Sequence, residues 1–158
     1  MFNIGDKVVY PMHGAGEIEA IEEKEFLGKK QRYYVLKLPL GDMKLMVPIK
    51  ENGESGLRRV IPEVDAERVL NILKGKLSEM PANWNHRYRV NMDKIKSGNI
   101  FEVAEVVRNL SLRDREKGLS TGEKKMLECA RQILVSELIY AKKLEESHVM
   151  DLISQCLS

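Results

Sequence analysis

Hydrophobic and polar positions alternate along the first sixty residues and then change to a helical spacing. Lys7–Tyr10 is β-branched and aromatic, and Pro11 and Gly14 punctuate its end. Gly16–Phe26 sets Ile18 and Ala20 between acids, a period of two that predicts a half-buried strand. A turn at Gly28-Lys29 leads into Gln31–Leu38, which carries Tyr33, Val35 and the pair Leu36 and Leu38. Gly41-Asp42 turns into Met43–Val47, and Leu57–Val60 supplies a fifth short segment. Five short strands with turns this close predict a small antiparallel barrel of the SH3-like or Tudor-like kind.

Helical stripes follow. Val64, Val69, Leu70 and Leu73 start one, which Gly75 ends as a C-cap. Gly75–Ala82, with Pro81, is a linker. Further helices are predicted at Trp84–Lys96, Ile100–Arg115, Thr121–Leu144 and His148 to about Leu157. Ser120-Thr121-Gly122-Glu123 has the form of a capping box, with Gly118 as a stop before it, and Ser147 is placed to cap the last helix. The expected architecture is therefore α+β and multidomain: a β-rich unit over residues 1–75 and an all-helical one over 76–158. Alternating βαβ units are absent, which argues against a nucleotide-binding sheet.

Composition narrows the classes. At 43% hydrophobic and 32% charged residues, the 158-residue chain can bury a core and is not globally disordered. No apolar run approaches a membrane span, and MFNIGDKVVY lacks the pattern of a secretory signal, so a cytoplasmic protein is expected. Cys129 and Cys156 fit neither a disulfide framework nor a metal clip. The net charge of +2 is uneven: residues 1–75 are neutral, 76–131 carry +4, and 132–158 carry −2. An excess of four charges permits contact with a polyanion without holding it tightly. No phosphate loop, dinucleotide loop, HExxH or GxSxG is present, and His13, His86 and His148 are scattered. No catalytic set, metal site or cofactor site is read from these residues.

Asn83–Ser97 is the segment with most to say. It holds the chain's one tryptophan among basic and amide side chains. At about 100° per residue, Trp84, Tyr88, Met92 and Ile95 form one stripe. Arg87 and Lys94 line one side of it, and Arg89 and Lys96 the other. Such columns can straddle a DNA groove with an indole set to lever at a base step. Equally, a tryptophan at a helix start can be a core anchor with basic residues snorkelling beside it, and periodicity alone favours that role. Lys124-Lys125, near a helix N-terminus, are placed to meet a phosphate or to be plain surface lysines.

Four motifs, GDxVVYPxHGxG at Gly5–Gly16, NWxxRY at Asn83–Tyr88, AEVVRNL at Ala104–Leu110 and LSxGEKxML at Leu119–Leu127, together resemble the CarD/CdnL family of bacterial transcription regulators. They run in order over nearly the whole chain. The N-terminal motif alone also resembles the polymerase-binding module of the transcription-repair coupling factor, but no helicase motif accompanies it. The resemblance implies a Tudor-like domain that contacts the RNA polymerase β subunit. It also implies a helical domain that contacts promoter DNA in the minor groove, near the upstream edge of the bubble. It assigns the wedge to Trp84, phosphate contacts to Arg87 and Arg89, and a weaker one to Lys124. Tethering to polymerase then lets weak DNA contacts suffice.

The sequence departs from that pattern in places. Met46 stands where some relatives carry a polymerase-facing arginine, Lys24 stands where an arginine can occur, and His86 replaces a base. Polymerase docking is accordingly expected to lean on strand pairing and apolar side chains, with Lys24 and Met46 as the partner-facing candidates. The expected function is stabilisation of the open promoter complex by a monomer without enzymatic activity. The alternative is a polymerase adaptor whose helical half binds another protein.

Overall fold

A computed structural model describes residues 1–158. Its N-terminal part is a sheet of β1 (Lys7–Tyr10), β2 (Gly14–Phe26), β3 (Lys29–Lys37), β4 (Lys44–Ile49) and β5 (Arg58–Arg59). Every pairing is antiparallel and the order is β4-β3-β2-β1-β5. The expected barrel does not close: β4 and β5 are both edges. The reason is local, since β5 is two residues long and the chain then leaves through Pro62 into a helix. On one face Val8, Ile18, Tyr34, Leu36, Val47 and Ile49 form a small apolar core. A register shift between Ile18 and Ala20 lets the long β2–β3 hairpin run on beyond it. The hairpin turns at Leu27-Gly28, one residue earlier than expected. Phe26 pairs with Lys29, and a two-residue primed turn places both central residues at positive φ, here 53° and 79°.

Five helices follow: α1 (Glu63–Leu73), α2 (Trp84–Lys96), α3 (Ile100–Lys117), α4 (Thr121–Lys142) and α5 (Glu146–Leu157). Together they bury a core of 22 apolar residues. Ala66, Val69, Leu70 and Leu73 of α1 belong to this cluster, although the sequence groups α1 with residues 1–75. Ser147 does not cap α5; the helix begins one residue before it, and Glu145 at the cap position makes no side-chain bond. Gly75 is not the C-cap of α1, which ends on right-handed Lys74. A Cβ on Gly75 would lie 3.1 Å from both Nη1 of Arg108 and the Ile72 carbonyl oxygen, so the glycine sits at a close approach. Arg108 donates to the Ile72 carbonyl at 3.2 Å, and Asn109 Oδ1 accepts from the Ser78 amide at 3.0 Å. Two polar residues of the AEVVRNL segment thus tie the linker down onto α3.

α4 joins the two parts. Ser136 Oγ accepts from the Ala15 amide of β2 at 2.9 Å. Glu137, fully buried, accepts from both terminal nitrogens of Arg58 at 2.7 Å and from the Ile61 amide at 2.9 Å. Arg58 also donates through Nε to the Gly98 carbonyl at 2.8 Å, which draws the α2–α3 turn into the same seam. No helix is long and apolar enough to cross a membrane.

Candidate nucleic-acid interface

α2 begins where it does because Asn83 is a strong N-cap: its side chain accepts from the His86 amide at 3.0 Å. Trp84 is therefore the first helical residue, at an end rather than in the middle of a packed face. Trp84 is 43% exposed, which leaves it open to a ligand. One face stacks on Tyr88, with ring centroids 5.3 Å apart and planes 25° from parallel. Its Nε1–H donates to Ser120 Oγ, the N-cap of α4, at 3.0 Å. The tryptophan bridges the starts of two helices.

The flanking charges are arranged differently from the expectation. Arg87 is not on the flank: it is 4% exposed and forms an ion pair with the equally buried Glu123. Its Nε donates to one carboxylate oxygen at 2.9 Å and its Nη2 to the other at 3.2 Å, while Nη1 reaches the Pro81 and Ala82 carbonyls. That guanidinium is withdrawn from phosphate. It locks α2 and the linker to α4. Lys94, in the same column, donates to Glu105 of α3 at 2.9 Å. The buried stripe of α2 is Arg87, Asn91 and Ile95, rotated from the stripe drawn through the apolar residues alone.

The other column is free. Arg89 and Lys96 are exposed and form no ion pair, as is true of Lys124 and Lys125 in the first turn of α4. Trp84, Arg89 and Lys124 are thus all open to solvent, while Arg87 fixes Glu123 and the linker carbonyls of Pro81 and Ala82. Arg87 beside Glu123 holds that carboxyl below the usual carboxylate range, outweighing the cost of burying it. Ser120 is the participant that the sequence marks only as a cap and not as part of the site. The capping box was visible, but nothing in it shows an indole lying across it from 36 residues away.

On the sheet, cross-strand partners place Ala20, Val35 and Met46 in one row of a single face, and Lys24 opposite Gln31 two rows further along the hairpin on that same face. Lys24 is exposed and Met46 is 39% exposed on the edge strand β4. At about 3.3 Å per residue they stand roughly 13 Å apart along the strands.

Two family descriptions match the chain: CarD, C-terminal domain, over residues 68–154, and CarD-like/TRCF RID domain, over residues 2–61. The chain belongs to the CarD family. It is 46% identical to a Bacillus subtilis (strain 168) protein titled "Putative transcription factor YdeB", over 149 residues that make up 94% of this chain and 97% of that one. It is also similar to a solved structure titled "CdnLNt from Myxoccoccus xanthus", at 44% identity over 39% of this chain and 86% of that chain, with a TM-score of 0.34. Trp84, Arg87, Arg89, Ser120, Glu123 and Lys124 all fall within the CarD C-terminal match, and Lys24 and Met46 within the RID match.

Proposed function

We propose that this CarD-family protein docks its sheet on the RNA polymerase β subunit and sets Trp84 against promoter DNA at the upstream edge of the bubble, prolonging the open complex. The coarser part, a transcription regulator of the CarD/CdnL type, follows from family membership and from the near full-length similarity to a relative titled as a transcription factor. The finer part rests on one arrangement. A half-exposed indole is fixed at the start of α4, and the far end of the same helix is docked on the sheet through Ser136 and Glu137. Sixteen residues separate Ser120 from Ser136, about 24 Å at 1.5 Å per residue. A rigid helix of that length converts a docking address on the sheet into a fixed position for the wedge.

The unpaired edge of β4, with Met46 facing outward, supports docking by strand addition. Arg89 and Lys124 supply phosphate contacts beside the indole. Binding the open complex better than the closed one by about 1.4 kcal/mol shifts their ratio roughly tenfold. The test is Trp84→Ala in promoter-lifetime measurements with polymerase on a weak promoter. The variant is expected to keep its helical circular dichroism and to lose most of the lifetime gain. An unchanged lifetime with a folded variant removes Trp84 from the mechanism.

A further inference from the structure

A serine hydroxyl has one proton to give and two lone pairs to receive. Ser120 Oγ uses all three. It accepts from the Glu123 amide at 3.2 Å as the α4 N-cap, accepts from the Trp84 indole at 3.0 Å, and donates to Glu123 Oε1 at 3.2 Å. Glu123 is in turn fixed by Arg87 of α2. The indole cannot turn without vacating a fully used hydroxyl. Its ring lies against the start of α4 beside Gly122, where even an added Cβ would sit in ordinary contact with the indole at 3.6 Å.

Building on the reading of Trp84 as the DNA wedge, we propose that Ser120 is a positioning residue that captures the indole N–H, so that Trp84 offers DNA an apolar ring with no free donor. The wedge then acts by stacking and by shape. Base edges in the minor groove are acceptor-rich, and an indole with its proton already committed cannot read them. Its sequence preference comes from how easily a step unstacks.

Ser120→Gly separates this role from capping, because glycine is tolerated at an N-cap whereas alanine is not. With a single tryptophan in the chain, intrinsic fluorescence reports that one side chain. Ser120→Gly is expected to raise acrylamide quenching of Trp84 and to shorten open-complex lifetime by roughly two- to tenfold, the factor that one lost hydrogen bond represents. Ser120→Thr, which keeps the hydroxyl, is expected to restore both. Trp84→Phe keeps the ring without the donor, so adding Ser120→Gly to it changes the lifetime no further. Quenching and lifetime both at the wild-type level in Ser120→Gly overturn the inference, as does a lifetime loss that persists in the phenylalanine background. If Trp84→Ala shortens the lifetime and Ser120→Gly does not, the wedge stands and the positioning role alone falls.

Discussion

Removing the cation from the seam between sheet and helices isolates what holds the two parts together. Glu137 is fully buried, and Arg58 supplies two of its three hydrogen bonds, both at 2.7 Å. Arg58→Met keeps a comparable apolar stem and leaves that carboxylate with the Ile61 amide alone. Breaking a buried pair from one side costs about 3–5 kcal/mol, because the remaining charge has neither water nor a counterion. The Arg58 side chain is 32% exposed, so some water reaches the site and the lower end, ~3 kcal/mol, is expected. For a chain of this length that is about 6–12 °C in Tm. Glu137→Gln has a different consequence: the orphaned group is then a guanidinium at the margin, which can be hydrated, and the cost is about 1–2 kcal/mol. Hence Arg58→Met is more damaging than Glu137→Gln, and the double variant is more stable than Arg58→Met alone. Urea unfolding followed by circular dichroism measures all three. A cost for Arg58→Met within about 0.5 kcal/mol of zero, or a double variant weaker than the single one, refutes the assignment of the seam to this pair.

Two further outcomes are expected. Gly14 has φ of 96°, and a Cβ there would lie 2.6 Å from Ser136 Oγ, so Gly14→Ala meets both backbone strain and a clash at the sheet–α4 contact; a loss of about 2 kcal/mol or more is expected in thermal unfolding, partly recovered by Ser136→Gly. The Glu123 carboxyl is depressed chiefly by its hydrogen bonds from Arg87, so it contributes stability above the ordinary value of 4.5 and loses it as pH falls below that point through the folded value. Glu123→Gln is therefore less stable than wild type at pH 7 and shows a flatter decline in acid, and parallel acid titrations of the two proteins check it.

The spacing of apolar residues located the elements well because each pattern is local. β-branched and aromatic runs between turn residues mark β1 to β4, although the register shift between Ile18 and Ala20 breaks the period of two expected in β2. α2 begins at Trp84 as the Asn83 cap requires. What failed is what depends on distant partners. Arg87 falls beside the apolar stripe on a helical wheel, and only Glu123, 36 residues away, turns it into a core residue. Closure of the barrel was illegible for a similar reason. Strand number and turn spacing do not reveal which strands become edges, and β5 proves too short to close on β4. Gly75 looks like a helix stop in the sequence, whereas in the structure Arg108 of α3 packs against it. The chemistry of the proposed site was half visible: the tryptophan and free bases are in the sequence, but the hydroxyl that orients the indole is recognisable there only as a cap.

Withdrawing Arg87 and Lys94 from the surface changes how the proposed DNA contact must work. The excess of +4 over residues 76–131 already nets both of them against acids, and each sits within hydrogen-bond distance of one, so neither is free to meet a phosphate. What remains exposed and unpaired on the two helices that hold the indole is Arg89 with Lys96 on α2 and Lys124 with Lys125 at the start of α4. Four cations neutralise at most about four phosphates, a set whose affinity falls steeply toward physiological salt. A free chain with these contacts would spend little time on DNA. Docked through its sheet as proposed, the same chain would meet the promoter at an effective concentration near millimolar, and weak contacts would then be enough. On the proposed function, so few free bases on these two helices are compatible with regulation at many promoters: specificity would come from where polymerase opens the duplex, with α4 carrying that position from the sheet to the indole.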